Sequence, residues 1–389
     1  MTKKCSSRLT FFAFVVLMVG LGSNDSLRGI FSTIFQEHFS LTTTQLGLIV
    51  TASYIGNLVF LLVGGNLSTR FSKKRVLQVL ILIWMAALAL FAFTSNYTVL
   101  LIGMALALGS STLLNTTMNL ITPLLFATAP GFFVNFLFFT QEIGTSGSQY
   151  ILGSHANGFA FWQHTNLVLL ILGAVAFVLL LFCNVPEEAA APADAPAQKG
   201  GYDWRIIVPY VLVFGFYFIA EHGVMNWMVA YGVDGLGLPQ ASAAKYLSVF
   251  FGGMMIGRLC LSPLVDKLGA LKSLAAFGGV SCVLYLIGSL GGAVTMPVWA
   301  ISGLSFSILY PTLVMSIRLY FPAQQVSGAA GTILSIASLA DILFNVGFGK
   351  LVDMTGYAVS IRVLPLSALA FFIVFILFTK FCKPTQKLK

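Results

Sequence analysis

Long runs of apolar residues recur along the chain, each broken only by short polar turns. A continuous run of roughly 20 apolar residues is the length a helix needs to cross a bilayer. Strands of a membrane barrel would instead alternate in polarity over about 10 residues. The runs and their turn signals predict twelve helical spans. They cover Thr10–Phe35, Gln45–Ser68, Val76–Phe93, Thr98–Leu120, Phe132–Leu152, Leu167–Val185, Ile206–Gly232, Ser242–Val265, Leu274–Leu290, Pro297–Leu319, Ala329–Lys350 and Val363–Phe381. The predicted fold class is an all-α membrane protein with two pseudo-symmetric six-helix bundles.

Composition removes the alternatives. Of 389 residues, 58% are hydrophobic and 8% charged, with a mean hydropathy of +0.93. A water-soluble domain carries about 25% charged residues, so a cytosolic enzyme, a secreted disulfide scaffold and a disordered regulator are excluded. The net charge of +9 is spread over short loops rather than gathered in a patch, so no nucleic-acid partner is expected. Lys3, Lys4, Arg70, Lys73, Lys74, Arg75, Lys267, Lys272 and Lys383 fall on one side of the predicted spans, and Lys245, Lys350 and Arg362 on the other. By the positive-inside rule both termini are cytoplasmic, and the short loops favour a bacterial inner (plasma) membrane. The basic N-terminus precedes a full-length span with no cleavage site, so an uncleaved first helix is expected rather than a signal peptide. Cys5, Cys183, Cys260, Cys282 and Cys382 show no metal spacing and are read as reduced. Sequons at Asn66, Asn96 and Asn115 sit in or against the membrane and are discarded.

Pro186–Trp204 is rich in Ala, Pro and acids, which predicts a flexible cytoplasmic linker between residues 1–185 and 205–389. Basic hairpin loops follow the second and eighth spans: Gly65-Asn66-Leu67-Ser68-Thr69-Arg70-Phe71-Ser72-Lys73-Lys74-Arg75, and Pro263-Leu264-Val265-Asp266-Lys267-Leu268-Gly269. Their equivalent places indicate parallel repeats.

Ionisable groups at lipid depth cost about 2.5–3.5 kcal/mol each on insertion scales, so each demands a reason. Asp25, Glu142, Glu221 and Asp341 lie near the centres of spans 1, 5, 7 and 11. Spans 3, 6, 9 and 12 carry none at that depth. Polar residues share helical spacing with these acids: Thr112, Asn115, Thr116 and Asn119 in span 4, Asn135 and Gln149 with Thr145 and Ser146 in span 5, Tyr217, His222, Asn226 and Trp227 in span 7, and Ser338 and Asn345 in span 11. Converging stripes would form a solvated pocket near the midplane. Other readings stay open beside this one. Asp25 either couples an ion or neutralises Arg28 three residues on, and Glu142 either titrates or bonds between helices. Glu221 and Asp341 serve gating or binding, His222 is a proton relay or a packed histidine, and Trp227 and Tyr310 stack on a ligand or on the protein. Arg258 is read as structural, paired with an acid at a cytoplasmic gate. No P-loop, metal spacing or nucleophile elbow occurs, so no enzyme activity, cofactor or metal is expected.

The two basic loops resemble the loop signature of the major facilitator superfamily. The second copy keeps the acid as Asp266 and the glycine as Gly269, while Ser68 and Ser72 replace them in the first. Ala243-Ala244-Lys245-Tyr246-Leu247, Gly257-Arg258 and Tyr310-Pro311-Thr312 resemble the fucose/galactose/glucose–proton symporter branch, as does Asn24-Asp25. The branch has a second key acid on the fourth helix, near which Thr112 stands here. The resemblance implies gating roles for Arg70, Arg258 and Asp266, and a coupling role for Asp25 with Glu142, Glu221 and Asp341 as further candidates.

The resulting expectation is a monomeric secondary transporter working by alternating access, with a small polar solute, such as a sugar, moved in symport with a proton or sodium ion. Asn24, Arg28, Thr112, Asn115, Asn119, Gln141, Tyr217, His222, Trp227, Tyr310 and Asn345 are its candidate solute contacts. A proton-coupled exporter of drugs or metabolites, an organic-anion transporter and a non-transporting receptor are the alternatives.

Overall fold

The computed structural model describes residues 3–126, 130–186 and 203–384. Most of the expected linker, residues 187–202, therefore lies outside the described residues. The long helices are α1 (Lys3–Ile30), α2 (Thr43–Arg70), α3 (Lys73–Phe93), α4 (Tyr97–Leu125), α5 (Pro130–His155) and α6 (Phe159–Leu181). They are followed by α7 (Trp204–Ala230), α8 (Gln240–Leu268), α9 (Ala270–Leu290), α10 (Met296–Leu319), α11 (Ala323–Thr355) and α12 (Val363–Phe381). Eleven helices among the described residues are long and apolar enough to cross a membrane. The remaining long helix is α5, with 26 residues.

The chain divides into two compact units, Met1–Ala195 and Pro196–Lys389. Within the first, α1 packs on α5 and α6, α2 on α4, and α3 on α4 and α6. Within the second, α7 packs on α11 and α12, α8 on α10, and α9 on α10 and α12. Raising each helix number by six converts one plan into the other, so the repeat legible in the two basic loops extends to helix packing.

In a bilayer the lipid tails are as apolar as the side chains, so helices associate by close packing of small residues. A Cβ on Gly22 would overlap the Gln141 carbonyl, and one on Gly144 would overlap the Val19 carbonyl. This brings the α1 and α5 backbones together beside Asp25 and Glu142. The α2–α4 pair meets the same way at Gly56 and Ala105, and the α8–α10 pair at Gly303 and Phe250.

Three helices depart from the expected spans. The first span, read as continuous to Phe35, ends at Ile30 and restarts as a short helix, Ser32–Phe39. The amide of Phe31 still bonds to the Leu27 carbonyl at 2.9 Å and that of Phe35 to the Phe31 carbonyl at 2.9 Å, so the apolar pattern runs unbroken through the bend. The tenth span is segmented into Met296–Ile301, Gly303–Phe306 and Leu309–Ser316 with a final 3-10 turn. Its hydroxyls compete for backbone carbonyls: Ser302 donates to Trp299, Ser305 to Ser302 and Ser307 to Leu304. The seventh span continues past Gly232 in a π-helical turn, Tyr231–Gly235.

Gly22→Ala should lower the thermal midpoint of the purified protein, since overpacking a helix contact costs roughly 1–3 kcal/mol. Gly147→Ala, with open space around it, should leave the midpoint unchanged or raise it slightly. Equal midpoints for the two variants would contradict the α1–α5 contact.

Candidate functional site

The polar residues of the first unit gather where α1, α4 and α5 meet. Asn24 accepts a hydrogen bond from the Trp84 indole at 3.2 Å. Asp25 Oδ2 accepts one from the Ser111 hydroxyl at 3.1 Å, while its Oδ1 is buried without a hydrogen-bond partner among the described residues. Arg28, one turn further, acts on Asp25 through its Coulomb field. Its guanidinium lies 5.7 Å from the centroid of the Tyr54 ring, within cation–π range, and its Nε is buried with no partner among the described residues.

Beside this trio runs a chain of amides. Asn119 Nδ2 donates to Asn115 Oδ1, and Asn115 Nδ2 donates to Gln141 Oε1, both at 2.6 Å. Asn119 Oδ1 ends the chain as a buried acceptor without a partner among the described residues. Thr145 ties the chain to α1, its hydroxyl lying 3.2 Å from both the Gly22 and the Gln141 carbonyls. Thr112 and Glu142 are half-buried next to Ser111 and Gln141.

The second unit holds two separate clusters, because consecutive residues on a helix point about 100° apart. His222 turns toward α11, placing Nδ1 2.8 Å from Asp341 Oδ2, with its ring flat against Phe218 at 5.2 Å. One turn on, the Trp227 indole donates to Asn345 Oδ1 at 2.8 Å, and Asn345 Nδ2 donates to the Asp341 carbonyl at 2.7 Å. Glu221 faces a different set: Tyr217, Tyr285 and Tyr310 all feel its charge, and Arg258 acts on Tyr217 and Tyr310. Tyr217 stacks on Phe306 at 5.1 Å and on Tyr310 at 6.1 Å. Trp227, Asn345 and Tyr217 are fully buried, whereas Tyr310 is partly exposed. The side chains of Arg70 and Asp266, expected in gating, lie outside the described residues.

Ser111, Tyr54 and Tyr285 belong to these clusters and were not singled out in the sequence. Ser111 follows Ser110 in an apolar stretch, and a serine bonding its own backbone, as Ser110 does to Leu106, looks the same. Tyr54 carried a usable signal, lying at span depth on a helix whose loop is basic. Tyr285 sits on a helix without acids.

Two bundles built on one repeated packing plan, from helices most of which are long and apolar enough to cross a membrane, define a multi-pass membrane protein. Residues 10–340 match the Major Facilitator Superfamily, and the chain belongs to that family. It is similar to the L-fucose-proton symporter of Escherichia coli strain K12, with 24% identity over 74% of this chain and 75% of the relative. It is also similar to the hexuronate transporter of Bacillus subtilis strain 168, with 26% identity over 85% of this chain and 84% of the relative. Among solved structures, a D-xylose-proton symporter superposes with a TM-score of 0.79 at 15% identity, over 98% of this chain and 99% of that one. Members of this family move solutes, so the chain is not an enzyme.

Replacing Trp227 by Phe would leave the buried Asn345 Oδ1 without its donor. Stability should fall by about 1–3 kcal/mol, the cost of an unsatisfied buried polar group. Thermal denaturation would show this, and an unchanged midpoint would contradict the indole–amide bond.

Proposed function

We propose that the chain is a proton-coupled symporter of a small polar solute, with sugars the first class to test, in a bacterial inner membrane with both termini cytoplasmic. The observation that carries this reading is Asp25. Its carboxyl is held at lipid depth by one hydroxyl, has a second oxygen without a partner among the described residues, and has a cation one turn away. A carboxylate in such a place is costly unless neutralised, and a proton neutralises it without filling the space needed by a solute. Solute and proton then favour each other at the same cluster, which is the linkage a symporter needs.

Asn115, Asn119 and Gln141 offer amide donors and acceptors suited to hydroxyl groups, and the chain's similarity to an L-fucose-proton symporter agrees with a hydroxylated solute. Asn24 and Thr112 would flank it. On the second unit, Tyr217, Trp227, Tyr310, His222 and Asn345 stand as further candidate contacts, Tyr310 and His222 being the partly exposed ones. Glu142, Glu221 and Asp341 are the further proton-coupling candidates, and Arg70, Arg258 and Asp266 the gating ones.

A second reading, transport of an organic anion, is favoured by Arg28. Its buried Nε without a partner among the described residues is an open donor for a carboxylate, and the chain is also similar to a hexuronate transporter. Competition separates the two. A neutral solute should be displaced by other neutral sugars, whereas an anionic one should be displaced by sugar acids and lost with Arg28→Gln.

Asp25→Asn should abolish accumulation driven by a pH gradient in proteoliposomes while leaving solute counterflow intact. Accumulation that survives this substitution would remove Asp25 from the coupling role. Loss of both activities would mean that Asp25 binds the solute rather than the proton.

A further inference from the structure

The end of α6 is held by a side chain from a distant part of the same unit. A helix leaves its last carbonyls without intrahelical donors, and its C-terminus carries partial negative charge. At the end of α6 the amides of Phe182 and Cys183 turn back to the carbonyls of Leu179 and Leu180 at 3.1 and 3.2 Å. The carbonyls of Leu181 and Cys183 are met by one amine, Lys74 Nζ, which donates to them at 3.0 and 2.7 Å. Lys74 is the second residue of α3 and belongs to the first basic loop. On α1, the Thr10 hydroxyl donates to the next carbonyl, that of Asn184, at 3.5 Å. Cys183 is fully buried within this tie, and its thiol donates to the Leu179 carbonyl at 3.1 Å.

Apolar packing does not close this corner by itself. One turn inward the three helices leave a void of about 10 Å³, lined by Phe14 and Leu17 of α1, Leu77 and Ile81 of α3, and Ala176 and Leu180 of α6. Hydrogen bonds from a charged donor are the stronger kind, so the amine supplies an attachment that the side chains beneath it leave incomplete.

The second unit is built differently at the matching place. There α12 ends on the same residue pair, Phe381-Cys382, as α6 does with Phe182-Cys183. The second residue of α9 is Leu271, whose side chain has no donor, and the Cys382 carbonyl accepts from the Tyr320 hydroxyl at 3.4 Å. Cys382 is partly exposed where Cys183 is buried. The charged tie therefore sits in the unit whose last helix runs on into Pro186 and the linker.

We infer that Lys74 is a positioning residue that fastens the end of α6 to α3, so that the linker leaves the first unit from a fixed point beside α1. This role is internal to the first unit and does not depend on the solute or on the coupled ion.

The test uses the full-length purified protein in detergent, labelled with N-ethylmaleimide, with the rate at each cysteine read by mass spectrometry. Cys183 should react more slowly than Cys382 in wild type. Lys74→Met should speed Cys183 about tenfold, the effect of losing bonds from a charged donor, and leave Cys382 unchanged. A nearby ammonium favours the reactive thiolate, so removing it from an end that stayed closed would slow Cys183 instead. Lys74→Arg, which keeps charged donors, should stay near the wild-type rate, as should Arg75→Met, which removes a neighbouring exposed charge. An unchanged or slower Cys183 in Lys74→Met, or an equal rise in Arg75→Met, would overturn the tie. Should Lys74→Met fail to fold, Lys74→Gln takes its place, with an intermediate rate expected and a wild-type rate overturning the proposal. Asp25→Asn should leave Cys183 labelling unchanged, so failure of the transport proposal and failure of this one are separately visible.

Discussion

An ionised carboxyl inside a bilayer must find a cation, a proton or several hydrogen-bond donors within reach, or the helix that bears it does not insert stably. That constraint orders the polar chemistry of this protein. Asp25 has Ser111 and the field of Arg28, Glu221 has Arg258 and a ring of tyrosines, and Asp341 has His222. Each solution is assembled inside one bundle from helices that the packing plan holds together. The small residues along α1 and α5 are part of the same economy, since backbone contact at Gly22 and Gly144 fixes the spacing across which Thr145 bridges.

The three settings differ in what they offer. Glu221 lies among tyrosines on two of which Arg258 also acts. Asp25 is held by one serine with a cation one turn away, and Asp341 is held by one histidine. A transporter that couples protons to a solute needs a carboxyl near balance and open to water at some point in the cycle, which is the place proposed for Asp25.

The twelve spans were legible because hydropathy over ~20 residues is a strong signal, and the membrane acids were legible because each is costly. What hydropathy does not register is a change of direction without a change of composition. Phe31 bends the chain while the pattern stays apolar, and the segmentation of α10 arises from serines whose hydroxyls take backbone carbonyls. Partner choice was also hidden. Glu221 and His222 are neighbours in one polar stripe of the sequence, yet their side chains serve separate clusters. Trp227, whose ring suits a stacking surface, is fully buried and donates to Asn345. Its partner lies more than a hundred residues away, and only packing reveals it.

The central claim is that solute movement carries a proton with it, and the direct measurement is external pH around de-energised, lightly buffered proteoliposomes when solute is added outside. Screening neutral sugars and sugar acids by thermal shift would first identify the solute to use. Influx of that solute should alkalinise the medium, and the signal should vanish with a protonophore. Acidification on addition would mean exchange rather than symport, and solute entry with no pH change would contradict proton coupling altogether.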